Sequence, residues 1–316
     1  VKPTDRNYLR ALIAVVNEYY SDFLKIAKER GRYYLHIERR EFKIENLPGK
    51  LKSDFARRYI TSLLAKPFVI LTGNSGTGKT RIAKQFAEYF ERMHGDRKNW
   101  MIVPVGADWT DNTKILGFYN PLADNGKGAY IKTGILELIE QANLNKEIPY
   151  FLILDEMNLS YVERYFSDFL SHMEIPGSVF EIDGYKEVQP FPDNLFVVGT
   201  VNIDETTYMF SPKVLDRANV VEFKPDEESI IDLLINPVPT EEIQAAYDMS
   251  DEAFLRVARE IRSGKCGLKK ENLEKASEIL RDIYEALEKC GFEFAYRTMK
   301  EVRQYISAAA EIDDNY

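Results

Sequence analysis

The run Gly73-Asn-Ser-Gly-Thr-Gly-Lys-Thr80 constrains this chain more than any other part of its sequence. Two glycines separated by four residues, and followed by Lys and Thr, have the spacing of a phosphate-binding loop. Glycines let the backbone curl so that successive N–H groups face one anion, and the next helix turns its positive end toward that anion. Such a loop needs a strand before it and a helix after it. The apolar run 68–71 and the periodic segment 79–93 predict both.

The loop predicts the contacts of a bound nucleotide. Lys79 is expected to reach the β- and γ-phosphates, and the Thr80 hydroxyl is expected to be a ligand of Mg²⁺. The residues predicted to bind the nucleotide are Gly73, Asn74, Ser75, Gly76, Thr77, Gly78, Lys79, Thr80 and Arg81.

Residues 51–235 alternate between apolar runs of strand length and helical patterns. Buried strands separated by helices are typical of a parallel sheet covered on both faces, so the predicted class is α/β, with the sheet sandwiched by helices. Besides the pair around the loop, the predicted strands are 101–105, 151–154, 195–200 and 220–223, and the predicted helices are 134–144 and 159–173.

The flanking segments predict two further parts. Residues 1–50 have the pattern of an amphipathic helix over 5–30, a hairpin within 32–45 and a linker at 46–50. The basic residues between Lys28 and Arg40 form either a solvated face or a surface for nucleic acid or a partner. Residues 236–316 predict a helical lid domain after a break at 236–240. The predicted helices near and within it are 227–234, 251–262, 270–289 and 299–310.

Composition excludes several classes of protein. The 316 residues suit about two domains. A net charge of −9 argues against a general polycation, so contact with DNA must be local or come from another domain. Two cysteines, Cys266 and Cys290, and three histidines predict neither a disulfide scaffold nor a zinc site. No apolar run approaches the roughly 20 residues of a membrane span, so we expect a cytoplasmic protein.

Polar residues follow two of the predicted strands. Asp155 and Glu156 come directly after the run 151–154, at the edge where open α/β sheets bind ligands. Asp155 is expected to hold Mg²⁺, and Glu156 to polarise the water that attacks the γ-phosphate. Asn202 ends the run 195–202 and can share that water with Glu156, because its amide both donates and accepts.

Two arginines complete the predicted site. Arg217 precedes the last strand, and its guanidinium can neutralise γ-phosphate charge on a neighbouring subunit. The alternative is a local pair with Asp216 or Glu222. Arg297 opens the last helix and is expected to contact phosphate across the hinge, unless it is an ordinary helix-surface arginine.

These motifs, in this order, resemble the AAA+ ATPases. Within that class the chain resembles the McrB family of GTP-hydrolysing motors, which serve restriction systems that cut DNA containing methylated cytosine. The segments that carry this likeness cover roughly residues 60–310. They are LDEMNLS (154–160), RYFSDFL (164–170), GTVN (199–202), LDR (215–217), YRTMK (296–300) and LGFYNP (116–121).

The resemblance implies a fold, a site and partners. It implies an AAA+ P-loop NTPase with a helical lid, GTP (or ATP) as substrate, Mg²⁺ at Thr80 and Asp155, and catalysis by Glu156 with Asn202 as first sensor. It also implies Arg217 as a finger acting on a neighbour and Arg297 as second sensor. The implied assembly is a homo-oligomer, a hexameric ring, that binds an McrC-like nuclease subunit and reaches DNA through the complex.

Two departures from the family pattern matter. Where the family often carries Met-Asn-Thr-Ala-Asp, this chain has Val-Asn-Ile-Asp-Glu at 201–205, positions associated with use of guanine nucleotides. The family's DNA-reading domain precedes the motor, and residues 1–50 are too short for one. The chain is therefore expected to be a motor fragment or a shortened variant.

Two other functions stay open. One is an ATP-dependent MoxR-like or dynein-like enzyme that remodels protein partners, and the other is a nucleotide-gated scaffold without hydrolysis. Three lysines are candidates to face a ring pore, with solvated lysines as the alternative: Lys114, Lys127 and Lys132.

Overall fold

The structure is a computed structural model of the 316-residue chain. It describes residues 24–29, 32–37, 54–94, 97–175, 177–180, 182, 184–185, 189–203, 208–224, 250–264, 270–289 and 294–312. The chain divides into two units, residues 1–42 and residues 43–316. Several predicted features lie outside the described residues: the linker 46–50, the helix 227–234, the break 236–240, and both cysteines.

In the first unit two antiparallel strands form a hairpin, β1 (Leu24–Glu29) and β2 (Arg32–Ile37). The predicted helix 5–30 is therefore wrong over its last turn and a half, and residues 5–23 lie outside the described part. The register pairs Leu24 with Ile37 and Ile26 with Leu35. Leu24 and Ile26 stand two residues apart, which is the spacing of a strand face, whereas the helical spacing that predicted the helix comes from the apolar residues before them.

The second unit is built on a parallel sheet of five strands in the order β13-β3-β12-β9-β6. All five predicted strands are confirmed, with ends shifted by one or two residues. The sheet strands are β3 (Phe68–Gly73), β6 (Trp100–Pro104), β9 (Tyr150–Asp155), β12 (Leu195–Asn202) and β13 (Asn219–Glu222). The α/β class is confirmed.

Three short hairpins lie outside this sheet. Their strands are β4 (Met93–His94), β5 (Arg97–Lys98), β7 (Gly117–Asn120), β8 (Ala129–Lys132), β10 (Val179–Phe180) and β11 (Gln189–Pro190). The pairs β4–β5, β7–β8 and β10–β11 are antiparallel.

Helices cover the sheet, and most agree with the sequence. The predicted helix 79–93 ends at Tyr89, and the predicted helix 159–173 is two short helices. The helices up to the last strand are α1 (Asp54–Ala65), α2 (Lys79–Tyr89), α3 (Thr113–Leu116), the kinked turn α4 (Ala123–Gly126), α5 (Gly134–Leu144), α6 (Val162–Tyr165), α7 (Ser167–His172) and α8 (Pro212–Leu215). A single turn of 3₁₀ helix spans Met157–Leu159.

The sheet is buried on both faces. Successive strand residues point to opposite sides, and both neighbours Phe151 and Leu152 are buried. Phe151 packs against Phe86 and Phe196, with ring centroids 5.6 and 5.4 Å away. Leu152 belongs to the apolar cluster on the other face, which includes Phe166. This explains why the strands are continuous apolar runs.

Among the described residues, three helices follow the sheet. They are α9 (Ser250–Arg262), α10 (Lys270–Glu288) and α11 (Tyr296–Ile312), and all three were predicted. Both α9 and α11 pack against α1, and Arg262 donates a bond of 2.7 Å to the carbonyl oxygen of Leu63. Because α1 leads into β3, these two helices lie near the edge where the strands begin. We call this the amino edge and the opposite one the carboxyl edge.

No helix in the described part of the chain combines the length and the apolar character that crossing a membrane requires.

Candidate active site

The phosphate-binding loop lies between β3 and α2, at the carboxyl edge of the sheet. Gly73 has φ +152°, and a Cβ atom there would lie 2.6 Å from the carbonyl oxygen of Phe223. Gly78, directly before α2, has φ +103°. L-residues rarely adopt these conformations. The tight curve of the loop therefore depends on glycine at both positions.

Lys79 is buried at the first position of α2. Its Nζ donates to the carbonyl oxygens of Gly73 at 2.9 Å and Asn74 at 2.6 Å. Within the loop, the Thr77 hydroxyl also donates to Asn74, at 2.8 Å. The ammonium group is thus held inside the curve of the loop, where the positive end of α2 adds to its attraction for an anion.

Asp155 connects the loop to two strands of the sheet. Its Oδ1 accepts a hydrogen bond from the Thr80 hydroxyl at 2.6 Å and another from the Thr200 hydroxyl at 2.6 Å. Thr80 lies in the first turn of α2, while Thr200 lies in β12, next to β9. The predicted proximity of Thr80 and Asp155 is present in the structure.

Glu156 follows with a left-handed backbone, φ 53° and ψ 47°. This conformation costs a non-glycine residue on the order of 1 kcal/mol. The Glu156 N–H donates to the Thr200 hydroxyl at 3.0 Å, which supports the turn. Asn202 Nδ2 lies 3.4 Å from Glu156 Oε1. The two residues expected to share the attacking water are therefore neighbours.

The donor set suits Mg²⁺. Thr80 and Asp155 offer a hydroxyl and a carboxylate, the hard oxygen ligands that Mg²⁺ prefers. The described residues contain no group of three His, Cys, Asp or Glu side chains that could hold a metal. Mg²⁺ in nucleotide sites needs none, since one or two protein ligands join substrate phosphates and water.

Arg217 lies at the amino edge, two residues before β13. Its Nε donates to the carbonyl oxygen of Leu170 and its Nη1 to that of Lys213, both at 2.7 Å, and its Nη2 pairs with the carboxylate of Glu174. The local pairing considered from sequence exists, but its partner is Glu174. The P-loop of the same chain lies at the opposite edge.

Arg297 lies in the same region, and its contact with phosphate across the hinge stays a prediction. Its Nη1 pairs with Glu174 at 3.0 Å, its Nε with Glu301 at 3.1 Å, and its Nη2 donates to the Asp216 carbonyl oxygen at 2.9 Å. Burial acts to lower the pKa of Arg297, but the Glu301 bond and the nearby carboxylates raise it overall. The physical cause of the placement is the packing of α11 on α1.

The order of the sheet and the geometry of the loop agree with comparisons with known proteins. Residues 68–217 match the model of the AAA domain of the dynein-related subfamily. Residues 68–217 form an AAA+ domain. After it, residues 247–316 match a domain of unknown function, DUF8727.

Solved structures share this fold. One is a "putative ATPase" from Cytophaga hutchinsonii, which is 16% identical, with a TM-score of 0.53 over 82% of this chain and 74% of that chain. At this identity the likeness concerns the fold alone. No curated protein matches the sequence.

The sequence did not predict the contacts of Thr200 and Glu174 in the AAA+ domain. Thr200 is a buried strand residue, and only the pairing of β12 with β9 brings it to Asp155. Its place two residues before Asn202, inside an otherwise apolar run, was the available signal. Glu174 follows α7 between Met173 and Ile175, and nothing in its local sequence indicated a partner.

The three lysines proposed for a pore have ordinary surroundings. Lys114 pairs with Asp108 at 3.4 Å and Lys132 with Glu140 at 2.8 Å. Lys127 is exposed beside the turn α4. These contacts fit solvated lysines, and a role in a pore stays a prediction.

Proposed function

We propose that this chain hydrolyses a nucleoside triphosphate by attack of water on the γ-phosphate. One observation carries the proposal: the hydroxyl of Thr80, in the phosphate loop, and the acids Asp155 and Glu156 form one hydrogen-bonded group with Thr200 at the carboxyl edge. A structural loop would have no need for two acids beside it. Phosphoryl transfer depends on this kind of positioning and charge.

Each residue has a distinct part in the proposed reaction. Lys79 and the loop N–H groups bind the phosphates, and Thr80 with Asp155 would hold Mg²⁺, which neutralises phosphate charge when bound. Glu156 orients the attacking water and accepts its proton, while Asn202 aligns Glu156 and the same water. Charge compensation from an arginine would come from a second copy, because Arg217 lies at the other edge.

The substrate base and the assembly are a finer part of the proposal. The strings that resemble the McrB family, chiefly 154–160 and 164–170, favour GTP, a hexameric ring and an McrC-like nuclease partner that brings DNA into the complex. The match of residues 68–217 to the dynein-related AAA domain favours the second candidate, an ATP-dependent remodelling enzyme of the MoxR kind.

Competition between GTP and ATP separates these two candidates. Phosphate release from labelled GTP is measured while unlabelled ATP is raised, and the reverse. The McrB-like proposal expects GTP to compete at least about tenfold better, a difference of about 1.4 kcal/mol in binding. A preference for ATP of that size favours the remodelling enzyme and leaves the hydrolytic proposal standing.

Loss of phosphate release tests hydrolysis itself. Glu156→Gln should bind a fluorescent nucleotide with unchanged affinity and release almost no phosphate, whereas Lys79→Ala should bind it poorly. Full turnover by Glu156→Gln would remove Glu156 from the mechanism. Nucleotide binding by the unaltered chain without hydrolysis, at high protein concentration, would leave a nucleotide-gated scaffold.

A further inference from the structure

A cleft of about 950 Å³ opens at the amino edge of the sheet, away from the phosphate loop. Its walls are the segments that lead into β3, β12 and β13, residues 172–175 at and after the end of α7, and the helices α9 and α11. Among the described residues that line it, five are acidic and six are basic; the basic ones are Lys66, Arg217, Arg259, Arg262, Arg297 and Lys300. The cleft is thus nearly balanced in charge, with a small positive excess.

Glu174 joins two of these cations. One carboxylate oxygen pairs with Nη2 of Arg217 and the other pairs with Nη1 of Arg297, at 3.0 Å. The two arginines come from segments about 80 residues apart, so a single acid unites groups that the chain delivers separately. Arg217 is also anchored by the carbonyl oxygens of Leu170 and Lys213.

Other ion pairs also line the cleft, but none of those described involves Arg217. Lys66 pairs with Glu301 at 2.9 Å and Arg259 with Asp193 at 2.9 Å. Among the ion pairs that the structure describes in this cleft, only those of Glu174 reach Arg217. Glu174 is 36% exposed and Arg297 is 48% exposed, so solvent and incoming ligands reach the Glu174–Arg297 pair, while Arg217 behind it is 12% exposed.

We propose that Glu174 is a positioning residue that restrains Arg217 and Arg297 in this cleft, and that the γ-phosphate bound on a second copy of the chain replaces it. The proposal rests on the proposed function, because it takes the nucleotide at the carboxyl edge of one copy as the anion met by the amino edge of the next.

Charge supports this choice of occupant. Guanidinium groups bind phosphate in the same bidentate manner as carboxylate, so a phosphate oxygen can take over either contact of Glu174. A triphosphate carries more negative charge than one carboxylate and would be the stronger partner. Before the phosphate binds, Glu174 reduces the positive charge that the cleft offers to an anion. Assembly of two copies without nucleotide is therefore only weakly favoured.

The test compares Glu174→Gln with Glu260→Gln in the full chain. Glu260 also lines the cleft and pairs with Arg256, so its variant removes one charge from the same cleft without touching either arginine. Phosphate release is measured as protein concentration is raised, and assembly is measured by sedimentation with a non-hydrolysable nucleotide. Thermal unfolding of each variant reports whether it folds.

Glu174→Gln should reach half-maximal hydrolysis and assembly at a protein concentration about 3- to 10-fold lower, since partly exposed ion pairs are individually weak. Glu260→Gln should behave like the unaltered chain, and adding Arg217→Ala to Glu174→Gln should abolish the gain. If Glu174→Gln leaves the midpoint concentration unchanged, or lowers the maximal rate of hydrolysis, Glu174 does not restrain the arginines. Its role would then be to align them or to be purely structural.

Phosphate release and sedimentation together distinguish failure of this proposal from failure of the proposed hydrolytic function. If no variant releases phosphate, the proposed function fails, while the sedimentation midpoints still decide the role of Glu174. If nucleotide produces no assembly of any variant, the restraint by Glu174 is wrong, whatever the hydrolysis shows.

Discussion

The carboxyl and amino edges of the central sheet carry two polar networks that are built in different ways. At the carboxyl edge Asp155 accepts from two hydroxyls at 2.6 Å, and its neighbours Lys79, Thr200 and Asn202 are buried. At the amino edge Glu174 joins Arg217, whose side chain is 12% exposed, to Arg297, whose side chain is 48% exposed. Adjacent parallel strands organise the first network, whereas the packing of helices on α1 organises the second.

This difference indicates how the work is divided between the edges. Hydrogen bonds shielded from water are short, directional and costly to break. Ion pairs in solvent are weak and exchange partners readily. The carboxyl edge is therefore suited to hold a substrate and a water molecule in one geometry. The amino edge is suited to give up its internal partner to an anion from another copy.

The largest effect is expected from a substitution at the carboxyl edge. Glu156→Gln removes the carboxylate that takes the proton from water, so kcat for phosphate release should fall by about 10³-fold, within the usual range for a general base. Glu163→Gln, in α6, serves as the matched control. A fall of less than about tenfold would contradict the assignment of Glu156 as the base.

Arg217→Ala removes a guanidinium from the amino edge. If the guanidinium of Arg217 acts on the nucleotide of a neighbouring copy, this variant should lower kcat by roughly 10²-fold. Mixing this variant with Glu156→Gln tests the direction of the contact, because a mixed assembly contains sites with an intact Glu156 facing an intact Arg217. Phosphate release should then exceed that of either variant alone. Absence of rescue at every mixing ratio would indicate a local structural role.

Thr200→Val tests the buried hydrogen bonds of the carboxyl edge. Valine keeps the shape but cannot donate to Asp155 or accept from Glu156, so we expect kcat to fall about tenfold, the size of effect given by about 1.4 kcal/mol. The Mg²⁺ concentration for half-maximal rate should rise, because Asp155 loses a fixed position. Thr200→Ser should restore both quantities. Equal kinetics for the Val and Ser variants would contradict this role.

The smallest effect is expected at the partly exposed ion pairs of Glu301. Glu301→Gln removes charge partners of Lys66 and Arg297, and the free energy of unfolding should change by at most about 1 kcal/mol. Urea unfolding at low and at high salt measures it, and the difference should shrink at high salt. A loss well above 1 kcal/mol would show that the amino edge is as rigid as the carboxyl edge.

Local patterns in the sequence predicted most of the fold. The runs around 68–71, 151–154 and 195–200 became strands because continuous apolar residues require burial on both faces. The helix 134–144 has the predicted bounds. The prediction was wrong over residues 24–29, because the helical pattern of the preceding residues was extended into a segment that pairs with β2 as a strand.

Local pattern was enough to predict the carboxyl edge, because the loop motif and the strand ends are recognisable in the sequence and parallel strands bring those ends together. The residues predicted in this way are the glycines of the loop, Lys79, Thr80, Asp155, Glu156 and Asn202. The contacts of Thr200 and Glu174, and the position of Arg297 beside Arg217, follow only from the three-dimensional fold. The physical reason is that these contacts join segments tens of residues apart, and packing between elements, which leaves no periodic trace in the chain, sets their distances.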